Sequence, residues 1–290
     1  MKDEQPSFTA SWVAGWRGLG HLLGDAQIAD DPFGARFGGR WAEALARAGA
    51  HPALRAGLIR LPQIANWVGY MQVRTRLIDD QLRSFLAAGG RQVVILGAGY
   101  DCRAARFAAL LAGARVFEID HPATQARKRA VLDGAGASPV VRYVAWHFER
   151  RALGELPAAL AELGLDVARP TLTIWEGVTM YLSPAAIDAT VAAVRGLGGD
   201  GSRLVFNYLT RQALERPRGL ARVAAAAVAR VGEPFTFGWD PAELPAWMAA
   251  RGWRLTIDRD LAVAAGELLP AAVAARVEAS NRHIAVATVG

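Results

Sequence analysis

Two glycines and an acid stand at positions where the chain could bind a nucleoside. Gly97 and Gly99 directly follow the apolar run 93–96, and Asp120 ends a second apolar run at 116–119. Glycine lets a backbone turn approach a ligand closely, and an acid at the end of the second strand can accept hydrogen bonds from two ribose hydroxyls. The order of strand, glycine turn, helix, strand and acid therefore predicts a nucleotide-binding βαβ unit.

Two later side chains are expected at the same edge of the predicted sheet. Glu176 follows the apolar run 172–175, and Phe148 comes shortly after the run 140–144. Ligands of open α/β sheets bind beyond the carboxyl ends of the strands. Glu176 is therefore predicted to lie beside the glycine turn, and Phe148 could pack against the face of an adenine.

The residues after the two glycines indicate which nucleoside would bind. A pyrophosphate-binding turn has a third glycine where the helix begins, and residues 97–102 contain only two. Asp101 also places an anion where a diphosphate would meet the helix N-terminus, which is unfavourable. A ligand with a ribose and no phosphate fits better, and S-adenosylmethionine is the common one. The same features argue against a nicotinamide-dependent oxidoreductase.

The elements that must position these residues alternate between short apolar runs and helical patterns, which predicts an α/β fold. We expect seven core strands in one mostly parallel sheet, the last of them antiparallel, at residues 93–96, 116–120, 140–144, 172–175, 203–207, 252–257 and 283–289. Helices are expected between them, including 103–111, 150–163, 241–250 and 268–279.

The first part of the chain is predicted to be entirely helical. Aromatic and leucine side chains recur at helical spacing from residue 7, a second helix is expected at about 33–48, and a long amphipathic helix at about 64–86. We therefore predict a single domain over residues 1–290, with a helical cap or lid at 1–88 and a Rossmann-like core at 89–290. An Ala-rich helical insertion is expected at about 208–232.

Composition bears on partners and location. The net charge of +6 could suggest nucleic acid, but the arginines are spread along the chain rather than clustered, so no nucleic-acid partner is predicted. No apolar run reaches the ~20 residues that span a bilayer, so no membrane partner is expected. Cys102 is the only cysteine, which precludes an internal disulfide and is compatible with a reducing compartment. With a polar start and no zinc-type spacing, we expect a cytoplasmic protein without a metal.

Taken together, these motifs resemble the leucine carboxyl methyltransferase family, which includes bacterial carboxyl O-methyltransferases of polyketide biosynthesis. The similarity runs through the whole chain in order. The matching stretches are 7–10 with Arg17, 74–79, 96–101 with Arg103 and Arg106, 117–122 with Gln125 and Lys128, 175–182, and 232–235 with Gly238.

The resemblance implies a class I methyltransferase fold with an N-terminal helical cap and S-adenosylmethionine as cofactor. It implies that Arg74 holds the cofactor carboxylate, that Gly97 and Gly99 lie under the methionine moiety, and that Asp120 binds the ribose. Glu176 would lie near the cofactor amino group, and Tyr181 would face the substrate together with the N-terminal helices.

One position departs from the family pattern. The family usually carries an Asp-Phe pair after the third strand, with the Asp accepting a hydrogen bond from the adenine amino group. Here His147 precedes Phe148. A neutral imidazole nitrogen could accept that bond, whereas a protonated one could not.

The predicted reaction is methyl transfer to an oxygen of a small molecule, foremost the carboxylate of a natural-product-like acid. A carboxylate is ionised at neutral pH and needs no general base. Arg17 and Tyr181 are the candidates for holding the substrate oxygen. If the acceptor is instead a phenol or alcohol, a base is wanted, and His21 or His51 could serve. Carboxyl methylation of a protein C-terminus and a non-catalytic protein that kept the fold are further alternatives.

Overall fold

The computed structural model describes residues 7–24, 27–137, 139–148, 150–216, 234–278 and 281–290. Within them, the chain forms an α/β structure around one seven-stranded sheet. The strands are β1 (Gln92–Leu96), β2 (Arg115–Asp120), β3 (Arg142–Ala145), β4 (Leu172–Trp175), β5 (Arg203–Leu209), β6 (Arg254–Asp260) and β7 (Arg282–Thr288).

The sheet has the order β3-β2-β1-β4-β5-β7-β6. β1 pairs in parallel with β2 and β4, and the parallel pairing continues outward to β3 on one side and β5 on the other. β7 runs antiparallel to both β5 and β6. The prediction of seven strands with an antiparallel last strand is therefore confirmed. Since β1 and β4 are buried along their whole length, the centre of the sheet is covered on both faces.

The described residues before β1 form helices joined by short connections, as predicted. The helices are α1 (Phe8–Leu23), α2 (Arg40–Gly49), α3 (Pro52–Leu58) and α4 (Pro62–Ala87), with a short 3-10 turn at Gly34–Phe37. The single helix expected at about 33–48 is interrupted because Gly39 has a φ of 71°, a left-handed backbone conformation that ends the 3-10 turn before α2 begins.

Several helices of the core are shorter than the sequence predicted. The core helices are α5 (Arg103–Arg106), α6 (Pro122–Gly134), α7 (Leu156–Glu162), α8 (Pro184–Arg195), α9 (Arg211–Glu215), α10 (Leu244–Ala249), α11 (Leu261–Leu268) and α12 (Ala271–Ala274).

Three predicted helices need correction. The helix expected at 103–111 ends at Arg106 and continues as turns. The helix expected at 150–163 begins only at Leu156, after a 3-10 turn at Leu153–Glu155, and Pro157 occupies its first turn, where a missing N–H is tolerated. The helix expected at 268–279 is displaced, since Pro270 separates α11 from α12.

The predicted insertion at about 208–232 falls partly outside the described residues. Its first residues complete β5 and form α9, and residues 217–233 are not described. Over the described parts of the chain, no helix combines the length and apolar character needed to cross a membrane.

Candidate functional site

A cavity of about 480 Å³ lies where the carboxyl ends of the parallel strands face α1. Its lining includes the nine residues predicted from the sequence to bind the cofactor or hold the substrate: Arg17, Arg74, Gly97, Gly99, Asp120, His147, Phe148, Glu176 and Tyr181. The structure therefore brings these residues together, while the role of each one stays a prediction.

The glycine turn, residues 97–99, directly follows β1. Gly97 has a φ of 65° and Gly99 a φ of 48°, a region that glycine enters at little cost. A Cβ on Gly97 would lie 2.7 Å from Val178 Cγ2, and one on Gly99 would lie 3.2 Å from the Cβ of Ala10 in α1. The turn is therefore packed closely between the loop after β4 and the first helix, and a side chain at position 97 would not fit.

Asp120 ends β2 and fastens the glycine turn. Its carboxylate accepts a hydrogen bond from the Gly99 N–H and another, 2.5 Å long, from the His121 N–H. Burial raises the pKa of Asp120, and these two backbone donors oppose that rise. Because each carboxylate oxygen can accept more than one hydrogen bond, the group keeps capacity for ligand hydroxyls.

Glu176 lies at the end of β4 between two arginines. Its Oε1 is 2.7 Å from Arg74 Nε, and its Oε2 accepts a 2.5 Å hydrogen bond from Arg103 Nη1. Burial disfavours the charged carboxylate, but the positive charges of Arg103, Arg74 and Arg17 outweigh this and lower the pKa of Glu176 well below its usual range. The carboxylate is therefore held ionised in the cavity wall.

Arg103 connects Glu176 to two further acids. Its Nη1 also donates to Asp101 Oδ2 at 2.5 Å, and its Nε donates to Asp79 Oδ1 at 2.8 Å. Asp79 in turn pairs with Arg106 at 2.5 Å. Asp101 is thus paired with a cation, but it still occupies the start of α5, and α5 is only four residues long. This end of the helix is unsuited to a diphosphate.

Arg74 and Glu176 lie against each other in the cavity wall. Arg74 Nε and Glu176 Oε1 are 2.7 Å apart and form an ion pair, and both of these atoms are buried. Because both residues line the cavity, the wall presents a cation and an anion side by side.

Arg17 extends from α1 towards the glycine turn. Its Nε pairs with Asp31, and its Nη2 donates a 2.5 Å hydrogen bond to the Tyr100 carbonyl. Burial lowers the pKa of the Arg17 guanidinium, but Asp31 and the other neighbouring acidic groups together raise it by more, so the group stays charged. Two of its nitrogens already hold protein groups, and a further contact to a substrate oxygen stays a prediction.

The remaining predicted residues occupy other parts of the cavity wall. His147 lies after β3, with its ring 4.9 Å from that of His121 in an edge-to-face arrangement. Phe148 is exposed, at 41% of its surface. Tyr181 is half-buried and packs on Phe235 at a ring distance of 5.4 Å.

Several residues that shape this site had no role in the sequence prediction. Arg103 was part of the family resemblance but was given no function, although an arginine beside buried apolar runs signals a charge in need of a partner. Asp31 and Asp79 gave no local signal because their arginine partners are distant in the chain. Tyr70 lies only four residues before Arg74, so the helical spacing of the two could have indicated their contact. Among the described residues, no group of three or more His, Cys, Asp or Glu could hold a metal ion.

Comparison with known proteins shows which family this chain belongs to. The family model for leucine carboxyl methyltransferase matches residues 10–195. A candidate S-adenosylmethionine-dependent methyltransferase of Mycobacteroides abscessus is 34% identical over 281 residues, which covers 90% of this chain and 86% of the relative. Another from Streptomyces coelicolor is 36% identical over 196 residues, covering 67% of this chain and 66% of the relative.

Solved structures agree at the level of the fold. A candidate methyltransferase from Thermobifida fusca has a TM-score of 0.55 at 18% identity, covering 99% of this chain and 96% of that one. The predicted class I fold is thereby confirmed, and the predicted cofactor is the one that the names of the relatives print. The chain belongs to the leucine carboxyl methyltransferase family.

Proposed function

We propose that this chain transfers the methyl group of S-adenosylmethionine to an oxygen of a small molecule, foremost the carboxylate of an apolar acid. The observation that carries the proposal is the single cavity wall that joins the glycine turn and Asp120 to Arg74 and Glu176. Membership of the family supports the class of reaction.

The residues present fit this methyl donor. Its zwitterionic end needs a cation for the carboxylate and an anion for the ammonium group, and Arg74 and Glu176 line the cavity side by side. The glycine turn offers the close backbone approach that a nucleoside needs, and Asp120 offers acceptors for ribose hydroxyls. When bound, the donor supplies a methyl group already activated on a sulfonium.

The chain itself would contribute mainly positioning. Arg17 and Tyr181 would hold the acceptor oxygen in line with the methyl group, and the buried wall would exclude water. Thr9, Ala10 and Val13 of α1 close the cavity from above. In this arrangement no protein group needs to move a proton when the acceptor is a carboxylate.

The histidine positions favour a carboxylate over a phenol or alcohol. His21 and His51, the bases considered for a hydroxyl acceptor, do not line the cavity. His21 contacts Gln27 and Asp30, and His51 stands exposed before α3. The histidines that do line it, His121 and His147, lie at the ends of β2 and β3, on the side proposed for the adenine.

We also propose that residues 1–290 act as one catalytic domain in which residues 1–88 are a cap. The support is that α1 and α4 supply part of the same cavity wall as the sheet, including Arg17 and Arg74.

A labelled-donor assay tests the proposal. The protein is incubated with S-adenosylmethionine carrying a radioactive methyl group and with a panel of apolar monocarboxylic acids, phenols and peptides with free C-termini. We expect label in a base-labile methyl ester of one of the small acids. A base-stable product would instead indicate an ether, and label in the peptides would indicate a protein substrate.

Isothermal titration with the unlabelled donor separates the non-catalytic alternative. We expect binding by the native protein. A folded protein that binds no donor would contradict the proposal and favour a scaffold that kept the fold.

A further inference from the structure

Tyr70 stands behind Arg74 on α4, one helical turn earlier. It is 5% exposed, and its hydroxyl accepts a 3.3 Å hydrogen bond from Arg74 Nη1. The centre of the Arg74 guanidinium lies 5.8 Å from the Tyr70 ring, and that of Arg282 from β7 lies 4.8 Å from it. The ring is thus fixed by two cations, and its hydroxyl is directed to one of them.

The opposite side of the Arg74 guanidinium is shaped by Gly177. A Cβ there would lie 3.0 Å from Arg74 Nη2, and the φ of 75° at Gly177 also favours glycine. Burial lowers the pKa of Arg74, but Glu176 and Tyr70 raise it by more, so the guanidinium stays charged. Each of its three nitrogens has a different neighbour. Nε contacts Glu176, Nη1 donates to Tyr70, and Nη2 lies beside Gly177.

This division of contacts matters because Arg74 and Glu176 could otherwise neutralise each other. A guanidinium and a carboxylate prefer two parallel hydrogen bonds, and that pairing would occupy the charges of both groups. Here Arg103 holds Glu176 Oε2 at 2.5 Å, so Arg74 and Glu176 share one close contact of 2.7 Å, between Nε and Oε1. Nη1 of Arg74 donates to Tyr70 instead.

We propose that Tyr70 is a positioning residue that holds Nη1 of Arg74 and so orients the guanidinium towards the carboxylate of the methyl donor. This inference rests on the proposed function. It assigns Tyr70 no contact with the donor and no part in the chemical step.

The test compares two ligands on the Tyr70→Phe variant, which keeps the ring and removes only the hydroxyl. S-Adenosylhomocysteine carries the amino-acid end, whereas 5′-methylthioadenosine lacks it. We expect the Kd for S-adenosylhomocysteine to rise roughly 3- to 10-fold, the range for one hydrogen bond. The Kd for 5′-methylthioadenosine should stay unchanged.

Tyr208→Phe is the matched control. Tyr208 is also buried, at 1% exposure, and its hydroxyl bonds to Asp258 at 2.7 Å, away from the cavity lining. The Tyr208→Phe variant should leave the ratio of the Kd for S-adenosylhomocysteine to the Kd for 5′-methylthioadenosine unchanged. In an Arg74→Ala background, Tyr70→Phe should add no further loss, because the two residues act through one interaction.

Each other outcome has a definite meaning. Equal weakening of both ligands, or no change in either, would overturn the role given to Tyr70. If Tyr70→Phe fails to fold, Arg74→Lys tests the same geometry. A lysine ammonium cannot make the separate contacts to Glu176 and Tyr70 that the Arg74 guanidinium makes. Wild-type affinity for S-adenosylhomocysteine in that variant would refute the inference. A wild-type protein that binds neither ligand would remove the proposed function itself.

Discussion

At the scale of single residues, the carboxylates of this site differ in what holds them. Asp120 is engaged by two backbone N–H groups, and Glu176 by two arginines. Burial dominates for Asp120 and raises its pKa, whereas cationic neighbours dominate for Glu176 and lower its pKa. The two acids are therefore suited to different ligand groups, neutral hydroxyls in one case and a cation in the other.

Replacing Asp120 tests the ribose assignment. Asp120→Ala should weaken binding of S-adenosylhomocysteine by about 1–3 kcal/mol, because hydrogen bonds to a charged acceptor are lost. Isothermal titration measures this. Asp133→Ala, which removes an exposed acid from α6, is the control and should bind like the wild type. Unchanged affinity in Asp120→Ala would remove Asp120 from the site.

Glu176 should also give the stability of the ligand-free protein a defined pH dependence. Its pKa is lower in the folded than in the unfolded chain, where the usual value is 4.5. Between the folded-state pKa and the unfolded-state pKa, the unfolded chain binds more protons than the folded chain. The stabilising contribution of Glu176 is therefore complete above about pH 4.5 and is lost as the pH falls below that value.

The measurement is the free energy of unfolding in denaturant at several pH values. We expect the wild type to exceed Glu176→Gln most clearly above about pH 5 and the difference to shrink in more acidic solution. Glu162→Gln, on an exposed part of α7, controls for the loss of a carboxylate. A difference that is the same at every pH would show that the arginines do not stabilise the ionised form.

At the scale of elements, small residues of α1 pack closely against the 3-10 turn and the glycine turn. Gly18 faces Gly34 and Ala35 of the 3-10 turn so closely that a Cβ there would overlap their backbone. Ala10 of the same helix meets Gly99 in the glycine turn. The position of the cavity roof therefore depends on close backbone packing.

Adding a methyl group at this contact should loosen the roof. Gly18→Ala is expected to lower the free energy of unfolding by about 1–3 kcal/mol or more, as overpacked cores do, and to weaken donor binding. Gly57→Ala is the matched control, since Gly57 lies in helix α3 with nothing near a new Cβ. It should be neutral or stabilise by up to ~1 kcal/mol. Equal stability of the two variants would contradict this account of α1.

At the scale of the whole molecule, the single cysteine lies where the N-terminal helices meet the core. Cys102 is 1% exposed and packs in a cluster with Ala14, Phe37, Tyr100 and Leu132. Burial raises the pKa of its thiol above the usual range. A thiol reagent can therefore reach a reactive Cys102 only when this junction opens.

Labelling of Cys102 should therefore report on that opening. We expect slow reaction in the native protein, slower reaction with saturating S-adenosylhomocysteine, and faster reaction in Gly18→Ala. The time course is followed with a chromogenic disulfide reagent. Rapid labelling of the native protein to one thiol per chain would show that the junction is open in solution.

The sequence by itself determined the class of fold and part of the cavity lining. Short apolar runs identified the strands because burial on both faces leaves a local pattern. The residues after those runs could be grouped because the carboxyl ends of parallel strands meet at one edge. The glycine turn, Asp120 and Glu176 followed from this rule alone, whereas Arg74 and Tyr181 needed the family resemblance.

Only the tertiary structure decided which charges face one another. The pairs Arg17–Asp31, Arg103–Glu176 and Arg74–Glu176 depend on how the N-terminal segments and the sheet pack together. A buried charge can be satisfied by any opposite charge that the fold brings near, so the sequence states the need for a partner without naming it. The tertiary structure sets which partner each buried charge has, and thereby the orientation of each charged side chain at the cavity.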